Sequence, residues 1–325
     1  MIPFLVGAIA LATVFLFGCV GEIITEKAGH LNLGIPGIMC VGTAGGCFGV
    51  ALYMRALPAS AEPSWILLIL LSILLAVLFA AALGGIYGLL TVSLRCNQNI
   101  TGLAVTIFGN GFAQFFMDTC VLKGDADRAN FEVAGKVISR GLPFADSLGA
   151  IGEIFFSHGI LVYLAIAVAI LAAWFLKKTR AGLHLRAVGE SPATADAAGI
   201  NVTAYKYGAI LIGSGIAGLG GFFYIMDYIK GSWENAMTIE ALGWLSVALV
   251  IFTLWKPNFS ILGSFIFAAL YVVAYYIGGN STQKELLKLI PYVMTIVVLI
   301  FTSIKGSKNN QAPAALGLPY FREER

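Results

Sequence analysis

Charged side chains are scarce in this sequence of 325 residues, of which only 11% are Asp, Glu, Lys or Arg. Soluble chains carry about 25% charged residues. Apolar residues make up 59% of the chain, and the mean hydropathy is +0.88. This balance excludes a soluble enzyme, a nucleic-acid-binding protein and a disulfide-rich secreted domain, and it favours a protein embedded in a lipid bilayer.

Residues suited to covalent or metal chemistry are also few. The five cysteines form no Cys-x-x-Cys pair and mostly lie in apolar runs, as small buried hydrophobic residues do. The three histidines are far apart and form no His-Glu-x-x-His pair, and no Gly-x4-Gly-Lys-Ser/Thr phosphate-binding loop occurs. We therefore expect no catalytic residue, no metal site and no directly bound cofactor in this chain.

Apolar runs long enough to cross a bilayer, which requires about 20 residues, recur along the chain. They cover 3–21, 34–54, 65–94, 102–122, 159–176, 207–229, 241–255, 259–278 and 289–304. We predict an all-α polytopic membrane protein with about nine transmembrane helices (8–10) in one domain, 1–304, followed by a flexible polar tail, 305–325. Because no basic segment precedes the first run, it is expected to be an uncleaved span and not a signal peptide.

The few charges predict an orientation, because basic residues concentrate in cytoplasmic loops. Nine spans place the termini on opposite sides. With the N-terminus outside and the C-terminus cytoplasmic, the inner segments contain 12 of the 20 Lys and Arg residues and six of the 17 Asp and Glu residues. Segment 123–158 is then an external loop, and 177–206, with five basic residues, is a cytoplasmic loop.

The loop 177–206 contains a short helix whose two ends are both marked. Ser191 is a good N-cap, Pro192 suits the first helical position, and Gly199 suits the left-handed position after the last turn. Such strong local specification predicts a rigid helix that presents a docking surface to a cytoplasmic partner. The alternative is a solvated connector helix.

The residues around this helix carry a family resemblance. Gly-Leu-His-Leu-Arg-Ala-Val-Gly-Glu-Ser-Pro at 182–192 and Ala-Gly-Ile-Asn-Val at 198–202 closely resemble the cytoplasmic coupling loop of ABC importer permeases in the branched-chain amino acid, simple sugar and nucleoside superfamily. In those permeases the loop fits a groove on the ATPase subunit. The resemblance implies that the following residues couple this chain to an ATPase: Arg186, Gly189, Glu190, Ser191, Ala195 and Gly199.

The connection between the first two spans, 21–37, is broken by Gly29, Gly34, Pro36 and Gly37. In transporters, irregular backbone at membrane depth marks the substrate path. The alternative is a turn outside the membrane. This segment is similar to the nucleoside and simple-sugar branch of the family, although that branch often carries an acidic residue at the position of Pro36.

Polar side chains in the fourth span predict a path for a polar cargo. Asn110, Gln114 and Asp118 follow one another at four-residue intervals and share a helix face. Amides can bond a ribose or a base edge without the insertion cost of a charge, about 2.5–3.5 kcal/mol. The alternative is bonding between helices. Trp244, in a stretch that again resembles the family, is suited to stacking on a base or to anchoring at the interface. The predicted path residues are Asn32, Asn97, Gln98, Asn110, Gln114 and Trp244.

Glycines at four-residue spacing predict helix faces that pack closely. The pairs are Gly42 with Gly46, Gly45 with Gly49, Gly84 with Gly88, and Ser214 with Gly218.

The resemblance covers about 22–304 and implies the permease subunit of an ATP-driven importer in the bacterial cytoplasmic (inner) membrane. Nucleosides are the favoured cargo, with simple sugars and branched-chain amino acids as alternatives. The implied partners are an ATPase subunit that binds ATP and Mg²⁺, a second homologous permease and an extracytoplasmic substrate-binding lipoprotein. A secondary transporter driven by an ion gradient is less favoured, because such proteins place ionisable residues well inside their helices. The sequence shows almost none away from the predicted span ends.

Overall fold

The computed structural model describes residues 1–58, 61–276, 280–287, 289–305 and 311–321, and within these ranges the secondary structure is helical, without strands. The helices are α1 (Ile2–Glu26), α2 (Ile35–Ala56), α3 (Trp65–Gly88), α4 (Gln98–Phe116), α5 (Asp125–Ile138), α6 (Gly149–Phe156), α7 (Ile160–Lys178), α8 (Arg180–Glu190), α9 (Pro192–Ala197), α10 (Val202–Phe223), α11 (Met237–Phe252), α12 (Pro257–Tyr276), α13 (Ser281–Leu287) and α14 (Ile290–Lys305). Short π-helical turns continue α3, α4 and α10 through Leu89–Ser93, Met117–Val121 and Tyr224–Tyr228.

Every predicted apolar run overlaps a helix within the described residues. Among the described residues, six helices are long and apolar enough to cross a membrane: α1, α2, α3, α4, α7 and α10, the π turns included. The predicted count of about nine spans stays a prediction. The apolar helices α11 and α14 contain 16 residues each. Such helices extend about 24 Å, less than the hydrocarbon thickness of about 30 Å.

The core forms where α10 packs against α1, α2 and α3. Glycine makes these contacts possible because a β-carbon on Gly213 would lie 2.4 Å from the carbonyl oxygen of Gly21. A β-carbon on Gly42 would lie 2.4 Å from the Cα of Gly218. One on Gly84 would lie 2.1 Å from the hydroxyl of Ser214. The glycine-spacing prediction of close helix packing is confirmed where Gly42 meets Gly218 and where Gly84 meets Ser214.

The helices α8 and α9 define one end of the bundle, which we call the coupling end. The end of α1 lies there, because a β-carbon on Gly189 of α8 would be 2.3 Å from the carbonyl oxygen of Lys27. At the other end, the Arg55 guanidinium at the end of α2 forms an ion pair of 2.9 Å with Asp127 of α5. The segments 123–158 and 177–206 therefore lie at opposite ends of the bundle. Segment 123–158 contains the helices α5 and α6.

The described part of the tail, 311–321, lies against the coupling end. The N–H of Ala315 donates to the carbonyl of Gly189 at 3.0 Å, and the N–H of Gly317 donates to the carbonyl of Gly29 at 3.2 Å. This arrangement differs from the flexible tail that its polar composition predicts. The reason is local: residues 312–321 are Ala-Pro-Ala-Ala-Leu-Gly-Leu-Pro-Tyr-Phe, an apolar stretch within the polar tail.

Candidate transport path and coupling surface

The helices α8 and α9 are set at an angle by one extended residue, Ser191, with φ −152°. The Ser191 hydroxyl accepts a hydrogen bond from the N–H of Thr194 at 3.4 Å, and Gly199 follows α9 with φ +81°. The sequence prediction of a helix capped at both ends is confirmed. The preceding helix α8 has a cap of its own, because the Thr179 hydroxyl accepts from the N–H of Gly182 at 2.9 Å.

The six predicted coupling residues differ in exposure. Glu190 and Gly199 are exposed, whereas Arg186 and Ser191 are half-buried. Gly189 and Ala195 are buried. The methyl of Ala195 packs in a small cluster with Val188 and Val202, and Gly189 lies against the backbone of the 27–34 connection. Gly189 and Ala195 therefore support the loop from inside, and the residues open to a partner are Glu190 and Gly199.

Charges gather where α8 meets the end of α1. Burial lowers the pKa of the Lys27 ammonium, and the nearby carboxylate of Glu190 opposes that shift. The Nε of Arg186 is buried and makes no hydrogen bond within the described ranges. Lys27, in the 27–34 connection, therefore interacts electrostatically with Arg186 and Glu190 of α8.

The first polar cluster joins the 27–34 connection to α1 and α4 at the coupling end. The N–H of Asn32 donates to the Glu22 carboxylate at 3.0 Å. The N–H of Leu31 donates to the Gln98 side-chain oxygen at 2.8 Å. Asn32 and Gln98 are both buried, so two predicted path residues lie in one cluster. Asn97 is exposed, and its side chain caps α4 by accepting from the N–H groups of Asn99 and Ile100.

Several atoms of this cluster are buried without a hydrogen-bond partner among the described residues: Glu22 Oε2, His30 Nδ1, His30 Nε2 and Asn32 Nδ2. Buried polar atoms in proteins are bonded to protein, water or ligand in the great majority of cases. The His30 pKa is lowered to about 3, first by burial and then by the positive charge of Lys206. The imidazole is therefore neutral at physiological pH.

The second polar cluster lies farther along α4, where it meets the start of α11. The Asn110 amide donates to the carboxylate of Glu240, and Trp244 Nε1–H donates to the same carboxylate at 3.5 Å. The Gln114 oxygen accepts from the N–H of Ala236 at 2.9 Å. Two predicted path residues, Asn110 and Trp244, therefore share the Glu240 carboxylate, and a third, Gln114, bonds to the residue just before α11.

Sequence reasoning missed Glu240 as a member of this second cluster. Its position four residues before Trp244, on the same face of a helix, is the signal that could have found it.

Comparison with known families decides the class of protein. The profile of the family described as "Branched-chain amino acid transport system / permease component" matches residues 4–299. The chain belongs to this permease family. It is also similar to the nucleoside ABC transporter permease protein NupC of Lactococcus lactis subsp. cremoris, at 32% identity over 96% of this chain and 95% of that protein.

Two further relatives match this permease over nearly the whole of both chains. The putative glucose ABC transporter permease protein TsgC13 of Haloferax volcanii is 30% identical over 96% of this chain and 95% of that protein. The guanosine ABC transporter permease protein NupQ of Bacillus subtilis is 28% identical over 94% of this chain and 92% of that protein.

Ionisable side chains of the permease are buried near helix ends: Glu22, Glu26, Lys206 and Asp227 are all at most 8% exposed. Each lies within five residues of a helix end, since α1 ends at Glu26, α10 begins at Val202 and its π turn ends at Tyr228. These positions agree with the expectation of few ionisable residues away from the span ends. Family membership, and not this scarcity of charge, separates ATP-driven from ion-driven transport.

Within the described ranges, no three His, Cys, Asp or Glu side chains lie close enough together to hold a metal ion. The permease presents two amide-containing clusters on α4 and a capped helix pair at one end.

Proposed function

We propose that this chain is the membrane-spanning permease of an ATP-driven importer and that its cargo is a nucleoside. The observation that carries the proposal is the full-length similarity to NupC, at 32% identity over 96% of the chain. NupQ, which is named for guanosine, supports the same cargo. The exposed coupling residues Glu190 and Gly199 support the ATP-driven mechanism.

In the proposed mechanism, a partner ATPase subunit holds ATP and Mg²⁺ and contacts α8 and α9 through Arg186, Glu190, Ser191 and Gly199. Closure of the ATPase pair pushes these helices. The buried contact of Gly189 with the backbone of Lys27 passes the movement to the 27–34 connection. The bundle then shifts between outward-open and inward-open states, because ATP binding favours one of them.

The two polar clusters are proposed to be successive stations for the cargo. Amide groups of Asn110 and Gln114 bond the ribose hydroxyls and the base edges, and Trp244 stacks on the base. Asn32 and Gln98 receive the cargo near the coupling end. Both stations combine amide donors and acceptors with one carboxylate, Glu22 in the first and Glu240 in the second, which can accept hydrogen bonds from the hydroxyls of the cargo.

The remaining parts of the proposal concern location and partners. The chain forms one domain, 1–304, in the bacterial cytoplasmic membrane, with the N-terminus outside and the tail inside. A second homologous permease completes the translocation pathway. The surface formed by 123–158 meets an extracytoplasmic substrate-binding lipoprotein.

A sugar is the second candidate cargo, because TsgC13 is named as a putative glucose permease and is 30% identical to this chain. Both cargoes carry hydroxyls that amides can bond. Stacking of Trp244 on a base separates them, since a hexose offers no aromatic ring.

The test uses the complete transporter, purified with its ATPase, second permease and lipoprotein and placed in lipid nanodiscs. ATP hydrolysis is measured with guanosine, uridine, glucose or no cargo. The expected result is stimulation by the nucleosides alone. Stimulation by glucose without stimulation by nucleosides would support the sugar alternative, and a rate unaffected by any cargo would contradict an importer of either class.

A further inference from the structure

The C-terminal segment 311–321 connects two parts of the coupling end through its main chain. The N–H of Ala315 donates to the carbonyl of Gly189 in α8 at 3.0 Å, and the N–H of Gly317 donates to the carbonyl of Gly29 at 3.2 Å. Gly29 has φ +83°, a conformation that side chains rarely allow. The segment therefore bridges the coupling helices and the connection between α1 and α2.

Further hydrogen bonds join the segment to the acidic groups of α8 and α9. The N–H of Ala314 donates to the Glu190 carboxylate at 3.3 Å. The hydroxyl of Tyr320 donates to the Asp196 carboxylate at 2.8 Å. Glu190 ends α8 and Asp196 lies in the last turn of α9, so the segment contacts the helix pair at two separate points.

The segment is held too firmly to be displaced without loss. Tyr320 packs on the buried cluster of Val188, Ala195 and Val202, and Ala315 is 8% exposed. Gln98 also donates to the carbonyl of Leu318 at 3.5 Å. Removing the segment would leave the carbonyls of Gly29 and Gly189 without these bonds, and each of the two groups that stays buried would lose a hydrogen-bond donor.

One side of the segment faces outward beside the coupling residues. Leu318 is 58% exposed, and Glu190 and Gly199 are exposed on the helices that the segment contacts. A subunit that docks on α9 therefore either contacts this segment or displaces it. Contact without displacement keeps every hydrogen bond described above, because the segment stays bonded to both α8 and α9.

We propose that residues 311–321 form, together with α8 and α9, one composite surface on which the ATPase subunit docks. This inference rests on the proposed function, because it requires an ATPase partner. It adds to the predicted coupling loop a second stretch of chain that lies more than 100 residues later in the sequence. In this stretch Leu318 faces outward, and Tyr320 faces α8 and α9.

The test measures the affinity of the purified ATPase subunit for the full permease complex in nanodiscs. The variants are a chain that stops after residue 310 and Tyr320→Phe, which removes the hydroxyl bonded to Asp196. Tyr163→Phe is the matched control, because it removes a hydroxyl bonded to the carbonyl of Phe155 at 2.9 Å at the opposite end of the bundle. We expect the dissociation constant to rise about tenfold or more for the truncation, about two- to fivefold for Tyr320→Phe and not at all for the control.

Two results would overturn the composite surface. An unchanged affinity for the truncated chain would show that the ATPase does not contact the segment. A tighter affinity would show that the segment blocks the site. If the truncated chain does not fold, Ala315→Pro, which removes the N–H donated to Gly189, gives the same comparison together with Tyr320→Phe. Failure of the unaltered permease to bind any ATPase would instead contradict the proposed function.

Discussion

The side-chain oxygen of Gln98 accepts a hydrogen bond of 2.8 Å from the main-chain N–H of Leu31. This bond joins the first turn of α4 to the connection between α1 and α2, next to the coupling helices. A movement of that connection therefore also acts on α4, which carries Gln98 of the first polar cluster and Asn110 and Gln114 of the second.

The change Gln98→Ala is expected to destabilise the permease by about 1–3 kcal/mol, because the N–H of Leu31 loses its buried acceptor. Thermal unfolding of the purified protein measures this effect. Asn99→Ala, at an exposed neighbouring position, is the control and should leave the unfolding temperature unchanged. Equal unfolding temperatures for both variants would show that the Gln98 bond contributes nothing.

The change Asn110→Ala is expected to lower nucleoside uptake by about tenfold, equivalent to about 1.4 kcal/mol, because it removes one amide of the second cluster. Basal ATP hydrolysis should persist, since the change lies away from α8 and α9. The measurement is initial uptake into proteoliposomes, with Asn280→Ala as an exposed amide control. Full uptake by the Asn110 variant would remove this residue from the path.

The change Gly213→Ala is expected to destabilise the fold by about 1–3 kcal/mol, because its β-carbon would lie 2.4 Å from the Gly21 carbonyl oxygen. Gly208 lies on the same helix with nothing within 4 Å of an added β-carbon. Gly208→Ala should therefore stabilise α10, by up to about 1 kcal/mol from helix propensity. Thermal unfolding of both variants gives the comparison, and a Gly213 variant as stable as the Gly208 variant would contradict the close helix contact.

The pH dependence of stability should report on His30. Its pKa in the folded protein is about 3, against an ordinary histidine pKa of 6.5. The unfolded chain therefore binds more protons between these values, and stability falls as the pH drops below about 6.5. The loss is about 2 kcal/mol at pH 5. His30→Gln should flatten the decline in unfolding temperature between pH 7 and pH 5, and an unchanged decline would assign it to other groups.

The parts of this fold that local rules determine could be predicted from the sequence. Apolar runs predicted the long helices. Ser191 and Gly199 predicted the two ends of α9, because capping depends on neighbouring residues. The spacing of Asn110 and Gln114 correctly placed them on one face of α4, since that spacing is also local.

The contacts between distant residues could not be predicted, because they depend on how the helices cross. Glu240 accepts a hydrogen bond from the amide of Asn110, which lies 130 residues earlier in the chain, and Trp255 donates one to Glu26 across 229 residues. The two members of each pair do not belong to one sequence motif. The tail segment was missed for another reason: its composition was averaged over 305–325, which concealed ten mostly apolar residues from 312 to 321.

Uptake of radiolabelled guanosine by proteoliposomes that contain the complete transporter tests the central claim most directly. ATP is supplied on the side of the ATPase subunit, and the lipoprotein is supplied on the other side. The proposed function predicts accumulation that requires ATP hydrolysis and is inhibited by unlabelled nucleosides but not by glucose. Accumulation that is unchanged without ATP, or that follows an imposed ion gradient, would contradict it.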